Sequence, residues 1–293
     1  MDLINDLTIT TCLYYDLFGT EFGGRHGPRN KYFYGLLSML KMDCPVILYC
    51  WEKDINEIKN FIDIETNGTR TNQVTFEVFD LYQSPLYEKI KSIKNIEEQK
   101  KSDRSFDVSI NKMVMLQRTI QSNRFDSKYF YFIDAGLSSS SLFPNKYLPN
   151  QADPMKRYYE CSLFTRKASE NLINLTHDQK MVLWKISQWT NYIDPSHCTR
   201  HDGHSIIAGI FGGINDIIIN YTNDIINRFI YVIDNYKTLY LEEPIMTMLY
   251  QENPSNYKTI NFDVWYHENS GDVFQPMIVG KKSFFNTFEE LNQ

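Results

Sequence analysis

The sharpest chemical signal in the chain is a carboxylate at the end of an apolar run. In YFYFIDAG, residues 129–136, an unbroken aromatic and aliphatic stretch leads straight into Asp134, followed by Ala135 and Gly136. Such a run is what a strand buried on both faces requires. In open α/β sheets, ligands gather outside the carboxyl ends of the strands. A carboxylate delivered there can accept hydrogen bonds from sugar or ribose hydroxyls, or hold a divalent ion on a diphosphate. Gly136 lets a ligand come close to the backbone. The competing role is local, since an aspartate also caps turns.

Other candidates share this logic with weaker patterns. The segment GTEFGGRHGPR, residues 19–29, follows the first apolar run and carries Arg25 and Arg29 among four glycines. Glycines free the backbone and arginines pair with phosphate oxygens, but the spacing is neither a Walker motif nor GxGxxG. A mobile surface turn is the alternative. Asn111-Lys112 heads a helical stretch, Ile110–Ser122, just before the Asp134 run. Lys112 can neutralise a diphosphate or simply be solvated. Glu242-Glu243 precede Pro244, and carboxylates are favoured in a helix's first turn. The same pair can supply a general base that takes a proton from a hydroxyl. His267, beyond the last strand-like run, is a candidate metal ligand or a surface histidine. Residues 197–204 (HCTRHDGH) collect three of the six histidines beside Cys198. Zinc accepts these ligand types, but the spacing matches no usual zinc signature.

These groups need a scaffold, and the hydrophobic pattern supplies one. Strand-like runs fall at 7–17, 45–51, 74–81, 129–133, 205–213 and 261–266, with helical spacing over 32–42, 54–62, 110–122, 214–233 and a segment from Pro244. Alternating strands and helices, with strands of buried type, predict a mostly parallel α/β sheet flanked by helices. Residues 89–104 are highly charged and read as a solvated helix end. Between 137 and 204 the pattern loosens into a polar loop and a mixed stretch. One composite domain over 1–293 is expected, with a nucleotide-binding half over 1–136 and a completing, acceptor-binding half over 137–293.

Composition narrows the function. With 30 Lys and Arg against 36 Asp and Glu in 293 residues, the net charge of -6 argues against a nucleic-acid footprint, which needs a basic stripe. A hydrophobic share of 42% is ordinary for a globular chain. The most Ile-rich stretch is interrupted by charged and amide residues, so no membrane span is expected. The first residues lack a basic head and an apolar core, so no signal peptide is expected either. Five scattered cysteines read as reduced, structural thiols. A cytoplasmic protein, or one peripheral to a membrane, is the expectation. The aromatic share of 15% is the unusual number. Most aromatics fall in core patterns, while Phe22, Phe143, Tyr147, Trp189, Tyr192 and Phe211 fall near the loops assigned to the site, where a base or sugar face could stack.

Taken in order, the arginine-bearing loop, Asn111-Lys112, the segment FIDAG at 132–136, IIAGIFGG at 206–213 and the acidic pair opening a helix that ends at Tyr250 and Pro254 resemble the HtrL/YibB-like family of bacterial glycosyltransferases, and more broadly the GT-A fold. FIDAG is the most specific piece. The resemblance implies transfer of a sugar from a nucleotide-sugar donor to a hydroxyl of a glycan, lipid-linked or protein-linked acceptor. It aligns Asp134 with the first carboxylate of an Asp-x-Asp element that holds manganese or magnesium on the donor diphosphate. The third position here is Gly136, so Asp134 acts alone, with His267, or without metal. Gly212 and Gly213 are implied near the acceptor or donor sugar, and Glu243 as the base of an inverting transfer. Two other classes compete: a non-catalytic nucleotide- or carbohydrate-binding protein of the same fold, and a metal-dependent hydrolase built on residues 197–204.

Overall fold

The computed structural model describes residues 3–14, 30–94, 105–137, 159–161, 164–186, 193, 205–237, 241–262, 265–266 and 276–277. Its centre is a seven-stranded sheet. The first half of the chain lays down β1 (Leu7–Cys12), α1 (Asn30–Leu40), β2 (Val46–Cys50), α2 (Ile55–Thr66), β3 (Val74–Val78), α3 (Tyr87–Lys94), α4 (Ser105–Ser109), α5 (Asn111–Ser122) and β4 (Tyr129–Ile133). The second half adds α6 (Arg166–Leu175), β5 (Met181–Ile186), β6 (Ile206–Ile214), α7 (Asn215–Tyr236), α8 (Glu242–Glu252) and β7 (Tyr257–Phe262). Trp265–Tyr266 (β8) and Pro276–Met277 (β9) form a separate antiparallel pair.

The strand order is β3-β2-β1-β4-β6-β5-β7. β1 pairs in parallel with β2 on one side and β4 on the other, and β2 pairs in parallel with β3. β6 runs antiparallel to both β4 and β5, while β5 and β7 are parallel. The α/β class is therefore the expected one, a mostly parallel sheet with helices on both faces. The chain leaves β1 toward β2 and β3, then returns on the opposite side with β4. That reversal opens a crevice between the carboxyl ends of β1 and β4, the place where such sheets take ligands.

Side-chain alternation sorts the core into two layers. Ile9, Leu48, Tyr131, Ile133 and Trp184 meet α1, α2 and α6 through residues such as Leu37, Ile62 and Leu172. Ile47, Phe130, Phe132, Leu183 and Phe211 meet α5, α7 and α8 through Leu116, Ile225, Phe229 and Met248. Trp184, Phe130, Phe132 and Phe211 are among the largest fully buried side chains. Each such burial contributes about 1.5–3 kcal/mol.

Several expectations need correction. α6 and β5 occupy the stretch read as mixed. Thr165 caps α6 by accepting from the Ala168 N–H, and Ala168, Ser169 and Leu172 form its buried face. The final helix starts at Glu242 rather than Pro244. The last run is split: β7 begins at Tyr257, and Trp265–Tyr266 pair outside the main sheet. Within the charged segment, Lys89 is ion-paired to Asp234 at 2.5 Å and so ties α3 to α7. No helix among the described residues is long and apolar enough to cross a membrane.

Candidate functional site

Asp134 is the residue after β4, and its backbone N–H extends the sheet ladder by donating to Gly209 O at 2.9 Å. The alternation that places Phe130 and Phe132 toward α5 sends Asp134 the same way. Its carboxylate meets Lys112, with Nζ 2.9 Å from Oδ1 and 3.1 Å from Oδ2. The Lys112 stem crosses the Phe132 ring, with Nζ 5.5 Å from its centroid. Nζ then reaches Glu242 Oε1 at 2.7 Å, across from the first turn of α8. Asn111 fixes the start of α5: its Nδ2 donates to Asp107 O at 2.6 Å and its Oδ1 accepts from Ser84 Oγ. Two halves of the chain are thus joined through one ammonium.

Exposure separates the three groups. The Lys112 and Glu242 side chains are 9% and 7% exposed, whereas Asp134 keeps 36% open. Burial alone works against the Lys112 charge, but Asp134 and Glu242 beside it outweigh that and push its pKa up. Burial pushes Asp134 up to about 6; Lys112 opposes the shift, and Glu242 and Glu243 add to it. Cys12, at the end of β1, lies in the same electrostatic neighbourhood. Burial, then the Asp134 charge, keeps it a protonated thiol, which makes it a poor nucleophile.

Glu243, half-buried next to Glu242, accepts the Ala208 N–H of β6 at 3.2 Å through Oε1. One turn later, Thr247 Oγ1 donates to Glu243 O at 2.9 Å and accepts from the Ser205 and Ile206 N–H groups at 3.1 and 3.0 Å. The start of α8 is therefore strapped to the start of β6. Because β6 runs antiparallel to β4, its beginning lies at the mouth beside Asp134.

That register corrects the glycines implied at the sugar. Gly212 pairs with Tyr131 in the middle of β4 and Gly213 with Phe130 nearer its start, away from Asp134. A Cβ on Gly212 would sit 2.4 Å from Phe130 O and from Tyr131 Cγ, so close strand packing is its role. The glycine at the mouth is Gly209, where an added Cβ would lie 3.1 Å from Leu137 Cδ1 and 3.8 Å from Asp134 Oδ2. Gly136 is half-buried in the turn closed by the Leu137 N–H on Asp134 O at 2.9 Å. Phe211 is also corrected: it is fully buried and stacked on Phe132 with ring centroids 5.5 Å apart, so it belongs to the core.

Arg25, Arg29, His267, the 197–204 cluster, Phe22, Phe143, Tyr147, Trp189 and Tyr192 lie outside the described residues. Gly209 went unassigned, and of the acidic pair only Glu243 was given the role of base. Glu242 is chemically equivalent to Glu243 in sequence, and only helix phase separates them. Gly209 is picked out from its neighbours only by the antiparallel register.

Two carboxylates, Asp134 and Glu242, contact the ammonium of Lys112, so its charge is already matched before any phosphate arrives. Among the described residues, no group of three His, Cys, Asp or Glu side chains is placed to hold a metal ion. The ammonium also lies against both oxygens of Asp134. The described donor set does not fit a divalent ion. What it can do is present one accessible carboxylate, held in a fixed direction, to hydroxyl hydrogens.

No family profile and no curated protein matches the sequence. Among solved structures, the chain is similar to the galactosyltransferase LgtC in complex with donor and acceptor sugar analogues, at 10% identity and a TM-score of 0.42, covering 87% of this chain and 73% of that one. It is also similar to 4-diphosphocytidyl-2C-methyl-D-erythritol synthase from Anaerococcus prevotii, at 9% identity and a TM-score of 0.37, covering 98% of this chain and 94% of that one.

Proposed function

We propose that this chain is a GT-A-like glycosyltransferase, related to the HtrL/YibB-like enzymes, that moves a sugar from a nucleotide-sugar donor to a hydroxyl of a glycan or a lipid- or protein-linked acceptor. The observation that carries the reading is Asp134, partly open at the β1/β4 crevice and oriented by the Lys112–Glu242 pair. A carboxylate so placed accepts hydrogen bonds from donor hydroxyls, and its orientation is fixed before the ligand binds, which lowers the cost of ordering the site.

In this reading Glu243, the more exposed of the acidic pair, takes the proton from the acceptor hydroxyl. The acceptor oxygen forms its bond to the anomeric carbon as the bond to the diphosphate oxygen breaks, and the nucleoside diphosphate leaves with the electron pair. Attack opposite the leaving group inverts the anomeric centre. Because Lys112 is already paired, the charge of the leaving diphosphate falls to Arg25 and Arg29. A binding protein without turnover is the second reading, favoured by the fully matched charge of Lys112.

A thermal-shift screen of sugar nucleotides and nucleoside diphosphates, with and without manganese, tests the proposal. A ligand at about a hundred times its Kd stabilises by about 2.7 kcal/mol, a rise of roughly 4 °C. A shift accompanied by sugar transfer supports the enzyme, a shift without turnover under any condition supports the binding protein, and no shift with any sugar nucleotide overturns both.

A further inference from the structure

Beyond Asp134 the sheet continues through β6 to β5, and β5 aims its carboxyl end the same way as β4, because β6 runs antiparallel to both. Lys185 stands at that end, between Ile206 of β6 and Asn261 of β7, neither of them charged. Just before it the β5–β6 register jumps: Leu183 pairs with Phe211, but Trp184 pairs with Ile207. Residues 208–210 bulge out of that pairing, and the Ala208 N–H there is the one Glu243 accepts. Bulges of this kind re-aim side chains beside active sites. The Lys185 side chain runs to α8, where Nζ lies 5.8 Å from the centroid of the Tyr250 ring. Lys112, Lys89, Lys258 and Arg228 are each held by a carboxylate, whereas Lys185 has no ion pair among the described residues. It is half-buried, burial lowers its pKa, and no carboxylate among those residues opposes that loss.

We infer that Lys185 reads an anionic group, a carboxylate or a phosphate, on the acceptor sugar whose hydroxyl faces Glu243. The inference rests on the proposed function and names the chemical class of its acceptor. Distance supports it by two routes. Ile206, opposite Lys185, lies two residues before Ala208 on β6; with about 3.3 Å per residue and 4.8 Å per strand, Lys185 starts roughly 8 Å from where Glu243 is anchored. Tyr250, which holds its far end, lies two turns past Glu243 on the same face of α8, about 10 Å along the axis. With hydrogen bonds of about 2.8 Å at each end, one sugar bridges that gap. Charge supports it as well. Asp134 and Glu243 present carboxylates at the mouth and Lys112 is already matched, so an anionic substituent has Lys185 as its partner among the described residues. The Tyr250 ring holds the lysine stem beforehand, which lowers the cost of ordering it on binding. An ammonium is a compact point charge that accepts a carboxylate or a phosphate alike.

Isothermal titration of the full chain with glucuronic acid, glucose 6-phosphate, glucose and inorganic phosphate tests the site. At least one charged sugar is expected to bind more tightly than glucose, by roughly 10- to 150-fold, the worth of a hydrogen bond to a charged group. Which of the two binds better distinguishes a carboxylate-bearing from a phosphate-bearing acceptor. Lys185→Met keeps an apolar stem against Tyr250 and should lose that margin, while Lys185→Arg keeps the charge and most of the margin. Circular dichroism checks that both variants fold. Charged sugars that bind no tighter than glucose, or that bind Lys185→Met as they bind the native chain, overturn the inference. Inorganic phosphate binding as tightly as glucose 6-phosphate, or no sugar binding at all, overturns it too. The two readings fail separately. A Lys185-dependent margin without transfer from any sugar nucleotide keeps the site and removes the enzyme. Transfer that persists with no such margin removes the site and keeps the enzyme.

Discussion

Lys112 Nζ stands 2.7 Å from Glu242 Oε1, a contact between residues 130 positions apart that joins α5 to the first turn of α8. Breaking a buried pair by removing one partner leaves the other charge uncompensated, at a cost of about 3–5 kcal/mol. Lys112→Met should therefore lower the melting temperature by roughly 5–8 °C. Glu242→Gln keeps an acceptor for the ammonium and should cost less. Thermal denaturation followed by circular dichroism checks the order, and equal melting temperatures for native chain and Lys112→Met would contradict it.

Asp134 carries the pH dependence. Its folded pKa is raised to about 6, so the folded state binds the proton more tightly than the unfolded chain, whose aspartate titrates near about 3.9. The stabilising contribution of the protonated group is complete below about 4 and is lost as pH rises through about 6. Activity runs the other way, since hydroxyl binding uses the ionised carboxylate. The kcat/KM for donor should rise with pH along a limb centred near 6, and a kcat/KM profile flat from pH 5 to 7, on the order of one unit either side of that value, would contradict the assignment.

The glycines give a steric contrast. Gly212→Ala drives a Cβ to 2.4 Å from Phe130 O and the Tyr131 ring, so loss of folded yield is expected. Gly209→Ala meets only the movable end of Leu137 at 3.1 Å, while its methyl points toward Asp134 Oδ2 at 3.8 Å. That variant should fold and bind donor more weakly. Soluble expression and donor titration of the two variants separate these roles.

For Glu243, loss of a general base typically costs about 10²–10⁴ in rate. Glu243→Gln retains an oxygen to accept the Ala208 N–H, so the fold should hold. Transfer is expected to fall by roughly that factor while donor affinity changes little. Rates measured at saturating donor, set beside the dissociation constant, check it.

How much of this was readable from the chain differs by element. Asp134 was legible because an apolar run broken by one acid leaves few alternatives for that acid's position. The long helix α7 was legible because Ile218, Tyr221, Ile225, Phe229 and Val232 repeat at helical spacing, and all five are buried. The reversal of β6 was not, because direction is set by pairing between residues as distant as Tyr129 and Ile214. The same non-local register sets Gly209, rather than Gly212 or Gly213, beside Asp134. Lys112 was found at its helix start, but its pairing with Glu242 depends on how two distant helices pack. The stacking of Trp51 on Tyr82 was not legible, because that contact arises only when β2 and β3 lie side by side.

The central claim is that Asp134 is the donor-sugar carboxylate, and the transfer rate of Asp134→Asn measures it most directly. The donor giving the largest thermal shift is used at saturation, with folding followed by circular dichroism. A native fold with a loss of roughly 10²-fold or more is expected, the scale seen when a group stabilising the transition state is removed. Turnover at the native rate in a folded Asp134→Asn chain would contradict it.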